Sequence, residues 1–268
     1  MEVKATSPAV EAAPDEREEE KTEPDMEKPS PQRIACLELT EKLGGGVEIS
    51  KSYILTVVLS AVVASVGLIR NNVAIIIGAM VIAPLLTPNM ALSLATTLGD
   101  AGLARRALKA ALLGMCMALG LAASVGFVMV IDPQVSEIAG RATVGYSDLI
   151  LALAAGSAGA LAFTSGVSAA LVGVMVAVAI LPPLVAAGLL FGSGYPAMGI
   201  KALLLTLANV ICVNLSGVGM FLSQGIRPRF YWEEKRARRL VKIAITIWVG
   251  LLAILVGVIY LNQRFMTF

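Results

Sequence analysis

The stretch IAPLLTP, residues 82–88, lies within a run from Asn71 to Gly99 that carries no charged residue. An interior proline removes one backbone hydrogen bond of a helix, clashes with the preceding turn and costs about 3 kcal/mol. Pro84 and Pro88 therefore predict a break within this apolar segment. In water such a break would be an ordinary loop, but inside a bilayer the freed backbone groups need partners from the protein or a wet cavity.

The composition places the chain among membrane proteins. Hydrophobic residues make up 57% of the sequence and charged residues 15%, whereas a soluble domain is about a quarter charged. Of the 19 acidic residues, 13 lie in residues 1–50. Residues 1–32 are rich in Glu, Pro and Lys and offer little to bury. We therefore expect residues 1–50 to be a disordered acidic cytoplasmic tail and linker.

The apolar segments predict an all-α polytopic membrane protein with seven transmembrane helices, since a crossing helix needs about 20 mostly apolar residues. The uncharged stretch from Leu149 to Ile200 is long enough for two helices, with a turn near residues 164–168. The predicted spans are Ser52–Ile69, Asn71–Gly99, Ala110–Ile131, two within Leu149–Ile200, Ala202–Ile226 and Ile243–Gln263.

Basic residues predict the orientation, because Lys and Arg accumulate in cytoplasmic loops. With the N-terminus inside, ten basic residues fall in inner loops and four in outer loops. The sequence thus favours a cytoplasmic N-terminus and an external C-terminus. Residues 226–242, which are rich in Arg and Lys, are predicted to be a juxtamembrane anchor for anionic lipid headgroups rather than a nucleic-acid site.

Two proline-bearing segments resemble each other at an offset of 95 residues. GAMVIAPLLTPNMALSLATTLG (78–99) and GVMVAVAILPPLVAAGLLFGSG (173–194) share eight identities in 22 positions without a gap. Spans 1–3 and 4–6, residues 51–131 and 147–225, are therefore predicted to be copies of one three-helix unit. Three crossings leave the chain on the opposite face, so the second copy must be inverted. The seventh helix, in residues 243–268, lies outside the repeat.

Each copy places prolines near the centre of its second helix. We predict that both helices are broken, at Pro84 and Pro88 and at Pro182 and Pro183, and that inversion aims two half-helix N-termini at the midplane. Thr87 before Pro88 is typical of an N-cap and first helical residue. A single proline in a membrane helix more often only kinks the helix. Prolines at matching positions in both copies instead favour a binding site. The predicted site consists of Pro84, Thr87, Pro88, Asn89, Ser93, Pro182, Pro183 and Asn209.

Other polar and small residues are interpreted as packing features. Thr206 and Asn214 in the sixth span are predicted to hold neighbouring helices together by hydrogen bonds between helices. Two stripes of small residues allow helices to approach closely, either within one protomer or between protomers, and a homo-oligomer is the favoured expectation. The stripes are Gly114, Ala118, Ala122 and Gly126 in the third span, and Ala152, Gly156 and Ala160 in the fourth.

Several motifs together resemble a known family. They are IIIGAMVIAPLLTP followed by GD and RRALK, and then ALAAGSAGAL with VAVAILPPLVAAGL. Over about residues 50–225 they closely resemble the domain of unknown function 389 family, an uncharacterised hydrophobic membrane domain. The resemblance implies a multi-pass protein of a prokaryotic inner membrane, often preceded by a soluble region. It implies no established activity.

The residue inventory narrows the function. The chain has no histidine, no deep carboxylate pair and no HExxH, Gly-x-Ser-x-Gly or phosphate-loop motif, so an enzyme is not predicted. Its three cysteines lack metal-ligand spacing, and no cofactor is expected. The leading hypothesis is a transporter or channel for a small solute or ion at the paired breaks, with an anion favoured and sodium as the rival ligand. The alternative is a non-transporting membrane scaffold or sensor.

Overall fold

The computed structural model describes residues 31–165, 169–226 and 234–265, which are helical and contain no strand. Ten α-helices and one 3-10 turn follow each other along these ranges. The helices are α1 Pro31–Gly45, α2 Lys51–Ile69, α3 Val73–Ile82, α4 Leu86–Leu98, α5 Ala101–Val128, α6 Ser136–Ala139, α7 Tyr146–Ser165, α8 Ala169–Gly192, α9 Pro196–Ser223 and α10 Glu234–Phe265. The 3-10 turn is Gly140–Ala142.

The predicted spans correspond to these helices. Five described helices, α2, α5, α7, α9 and part of α10, are long and apolar enough to cross a membrane, and the bent pair α3–α4 adds a sixth candidate. The turn expected near residues 164–168 falls mainly on residues 166–168, which lie outside the described residues. The chain is therefore an all-helical membrane protein with several candidate spans.

Helix α1 replaces the linker that the sequence predicted before residue 50. Leu39 and Leu43 lie four residues apart on one face of α1 and are buried in the main core, and Val47, in the turn after the helix, is buried there as well. This face packs α1 against α4 and α7. The rest of the predicted tail, residues 1–30, lies outside the described residues.

A helix break occurs at one of the two predicted places. Helix α3 ends at Ile82, α4 begins at Leu86, and their axes are bent by 54°. Helix α8 instead runs unbroken through Pro182 and Pro183, so the break predicted in the fifth span is wrong. Because these two prolines are adjacent, their missing N–H groups affect a single turn, whereas Pro84 and Pro88 would disrupt two successive turns.

The centre of the bundle is formed by α4 and the second half of α8. Every residue from 88 to 97 and from 180 to 190 is buried. Helix α4 packs against α1, α5, α9 and α10, and α8 packs most extensively against α5 and α9. The two segments correspond at the 95-residue offset, so the sequence similarity coincides with similar burial.

The small-residue stripes on α5 and α7 seal helices within the protomer. A β-carbon added at Gly126 of α5 would overlap the backbone carbonyl of Leu189 in α8. A β-carbon at Gly156 of α7 would overlap Ser216 in α9. At these two positions the small residues pack helices of one protomer against each other rather than helices of two protomers. The homo-oligomer is still an expectation.

Candidate functional site: the α3–α4 break

The break joins the carboxyl end of α3 to the amino end of α4. Ala83, directly before Pro84, has φ −66° and ψ 122°, the extended conformation that a following proline favours. Helix α4 then begins at Leu86, and Leu85 before it provides no side-chain cap. The predicted N-cap role of Thr87 is therefore wrong. Thr87 and Pro88 lie in the first turn, where a missing proline N–H removes no helical hydrogen bond.

The two helix ends at the break differ in burial. In the last turn of α3, Val81 is 51% exposed and Ile82 42% exposed, so this turn partly faces outward. In the first turn of α4, Leu86, Pro88 and Asn89 are buried, and Thr87 is half-buried. The amino end of α4, with its uncapped N–H groups, thus lies on the interior side of the break.

A cluster of buried polar side chains, Asn89, Ser93 and Asn214, lies directly beyond the break. The amide nitrogen of Asn89 donates to the Leu85 carbonyl oxygen at 2.8 Å. The amide nitrogen of Asn214 donates to Asn89 Oδ1 at 2.9 Å and to the Val210 carbonyl oxygen at 2.9 Å. These bonds connect the first turns of α4 to the middle of α9.

Ser93 completes the cluster one turn further along α4. Its hydroxyl lies 3.0 Å from the Asn89 carbonyl oxygen and 3.2 Å from both the backbone and the side-chain oxygen of Asn214. A β-carbon added at Gly217 would lie 2.8 Å from Ser93 Oγ. Glycine at this position therefore allows α9 to approach the serine closely.

The cluster contains no charged group. The buried polar residues of the described chain are all serine, threonine or asparagine. Their dipoles can hydrogen-bond either a solute or each other, and in this structure they bond each other. Because no carboxylate or ammonium lies among them, the helix ends supply the largest fixed partial charges at the break.

The structure brings together part of the predicted site. Asn89 and Ser93 meet in the cluster, Pro84 forms the break, and Thr87 and Pro88 follow it in the first turn of α4. Pro182 and Pro183 are buried in the unbroken α8, which removes the second predicted half-helix N-terminus. Asn209 is buried on α9, five residues before Asn214.

Asn214 was not among the predicted site residues. It was interpreted as a residue that joins neighbouring helices, and its hydrogen bonds to Asn89 and Ser93 of α4 confirm that interpretation. Thr206 instead donates to the Ala202 carbonyl of its own helix at 3.0 Å. A single sequence does not show which face of α9 meets α4, so spacing alone could not pair Asn214 with Asn89.

Comparison with known proteins identifies the family. Residues 80–215 match the family described as Domain of unknown function, DUF389. An uncharacterized protein of Methanocaldococcus jannaschii is 39% identical over 254 residues, which cover 94% of this chain and 77% of that protein. The chain belongs to the DUF389 family. This confirms the resemblance seen in the sequence, and no solved structure matches the chain.

The DUF389 region coincides with the break and the polar cluster. It begins at Met80, in the last turn of α3, and ends at Leu215, next to Asn214. It includes all of α4, α5, α7 and α8. Neither the DUF389 description nor the relative's name states an activity, so the function has to be argued from the site.

Proposed function

We propose that the protein is a membrane transporter or channel for a small solute or ion, with its site at the α3–α4 break. The observation that carries the proposal is the uncapped amino end of α4, buried beside the polar cluster of Asn89, Ser93 and Asn214. Interrupted helices of this kind provide backbone groups for ligands at membrane depth.

We further propose that the solute carries a negative group. A helix N-terminus bears about half a positive charge and free N–H donors. At this break the amino end of α4 faces the interior, whereas the last turn of α3, with its carbonyl groups, partly faces outward. Thr87 and Asn89 add a hydroxyl and an amide close to these donors. A sodium site at the α3 carbonyls is the rival that the flux experiment below tests.

An inverted relation between α2–α5 and α7–α9 is part of the proposal. Gly217 of α9 lies against Ser93 of α4, and Ala122 of α5 lies against Gly188 of α8. At the 95-residue offset, Ser93 corresponds to Gly188, and Gly217 corresponds to Ala122. The two contacts therefore join equivalent positions, with the roles of the two copies exchanged. Such an exchange is the contact pattern of a two-fold relation between the copies.

Helix directions support inversion rather than a simple copy. On α4 and α9, the pairs Asn89–Asn214 and Ser93–Gly217 advance together, so these helices run parallel. Consecutive spans of one copy cross the membrane in opposite directions. A second span of one copy can therefore lie parallel to the third span of the other only if the copies are inverted. Counting α8 as a span in addition to the six candidates gives the seven crossings of this proposal.

The orientation in an inner membrane is testable by cysteine labelling. Ser136 and Arg105 are both exposed, and the basic residues place Arg105 on the cytoplasmic side. In a background with Cys36, Cys116 and Cys212 replaced, we expect an impermeant thiol reagent outside the cell to modify Ser136→Cys and not Arg105→Cys. The opposite labelling pattern would overturn the orientation.

Flux into liposomes tests the transport proposal. Purified protein should accelerate uptake of at least one anion among chloride, nitrate, phosphate and acetate over protein-free liposomes. Sodium, potassium and a neutral solute of similar size serve as comparisons. Cation flux that is independent of the anion present would contradict the anion proposal.

A non-transporting scaffold or sensor is the second candidate, and the packed centre favours it. Residues 180–190 of α8 are buried without exception, and the cluster is hydrogen-bonded within itself. This candidate predicts no flux of any tested solute from correctly assembled protein. Uptake of any one of them above the protein-free rate would exclude it.

A further inference from the structure

Helix α1 covers the amino end of α4. It packs against α4 and α7, and Leu43 on its inner face is completely buried. Gly46 follows α1 directly, and a β-carbon added there would overlap Thr87 Cγ2 and lie 3.5 Å from Thr87 Cβ. The backbone that leaves α1 therefore crosses the first turn of α4 at Thr87, the half-buried residue of the break.

The contacts that hold α1 differ from those that hold the central helices. Among the described side chains, Leu39 and Leu43 of α1 and Val47 just after it are the buried apolar ones, and the Lys42 ammonium lies 5.7 Å from the centre of the Phe163 ring at the end of α7. Helix α4, by contrast, buries residues 88 to 97 on all sides. Among the described residues, the buried contacts of α1 are thus fewer than those of α4, so we expect that α1 can be displaced while the bundle stays folded.

We propose that α1 is a gate for the α3–α4 break, closed in this structure at the contact between Gly46 and Thr87. In the closed position it blocks access to the amino end of α4 from the side of the membrane that holds the N-terminus. Displacement of α1 exposes Thr87 and opens the route to the polar cluster. The gate rests on the proposed transport site, so one of its tests uses no flux measurement.

The first test locks the gate with a disulfide. The 3.5 Å between the added β-carbon at Gly46 and Thr87 Cβ falls within the Cβ–Cβ range of disulfides, about 3.5–4.5 Å. Replacing Thr87 by cysteine also removes the Cγ2 atom that the new β-carbon would overlap. The double variant Gly46→Cys/Thr87→Cys is made in the background without Cys36, Cys116 and Cys212.

We expect oxidation to cross-link this variant and lower uptake of the most rapidly carried anion of the panel at least tenfold, with recovery after reduction. Thr87→Cys alone, treated with the same oxidant, is the matched control and should not respond. A cross-linked protein that takes up anions at the rate of its reduced form would overturn the gate.

The second test measures access to the break directly. Leu43→Asp places a charge in the buried face of α1 and should displace it, while Glu41→Asp changes an exposed residue of the same helix. With Thr87→Cys as the reporter, we expect an impermeant thiol reagent on the N-terminal side to react at least tenfold faster in Leu43→Asp than in Glu41→Asp. Equal rates would overturn the gate. If labelling is faster in Leu43→Asp but no variant takes up any solute, α1 is a displaceable cover of the break and the transport proposal is contradicted.

Discussion

Gly126→Ala is expected to lower the free energy of unfolding by about 1–3 kcal/mol, because overpacking of a tightly packed contact typically costs this much. The added β-carbon would overlap the Leu189 carbonyl group, which belongs to the backbone of α8 and cannot rotate away. Helices α5 and α8, which pack extensively against each other, would have to separate. Unfolding in detergent by a denaturant series measures the loss.

Gly120→Ala on the same helix is the control for that substitution. No atom lies within 4 Å of a β-carbon added at Gly120, so only helix propensity changes. Alanine is favoured over glycine in a helix by about 1 kcal/mol, and the variant should be as stable as the parent or slightly more stable. Equal destabilisation by both substitutions would show that the α5–α8 contact does not depend on Gly126.

Asn89→Ala is expected to reduce anion uptake by a factor of ten or more. The asparagine amide lies at the amino end of α4 and bonds both Leu85 and Asn214. A hydrogen bond to a charged ligand contributes about 1.5–3 kcal/mol, and about 1.4 kcal/mol corresponds to a tenfold change. Thr87→Val should act in the same direction. Initial uptake rates in liposomes at matched protein density provide the measurement.

Ser65→Ala is the control for the uptake experiment. Ser65 is also buried and polar, but its hydroxyl donates to the Ala61 carbonyl of its own helix, α2, at 2.8 Å. Its replacement should leave uptake unchanged. Size-exclusion profiles show whether each variant assembles normally. Parental uptake in well-assembled Asn89→Ala would remove the polar cluster from the proposed site.

Local sequence was sufficient for the approximate positions of the apolar helices and for the break between α3 and α4. Uncharged apolar stretches predicted the spans because hydrocarbon excludes charge, and α2 begins one residue before its predicted start. The pair Pro84 and Pro88 predicted the interruption because each lacks an N–H donor and each restricts the residue before it. Asn89 and Ser93 could be assigned to the site because they follow the break on the same helix.

Three features depended on contacts between distant segments. At the 95-residue offset Pro183 corresponds to Pro88 and Pro182 to Thr87, yet α8 stays helical, since α5 and α9 pack against this helix. Asn214 meets Asn89 across 125 positions of sequence. Helix α1 buries Leu43 in a groove that α4 and α7 create, in a segment whose composition predicted a linker.

The sequence by itself determined the apolar helices and the break at Pro84, because hydrophobicity and proline act within one helix or one turn. Only the tertiary structure decided that one proline pair breaks its helix while the other does not. It also decided that the polar cluster is shared by α4 and α9 and that α1 covers the break. These outcomes depend on which helix faces become neighbours, and that choice follows from the packing of the whole bundle rather than from any one segment.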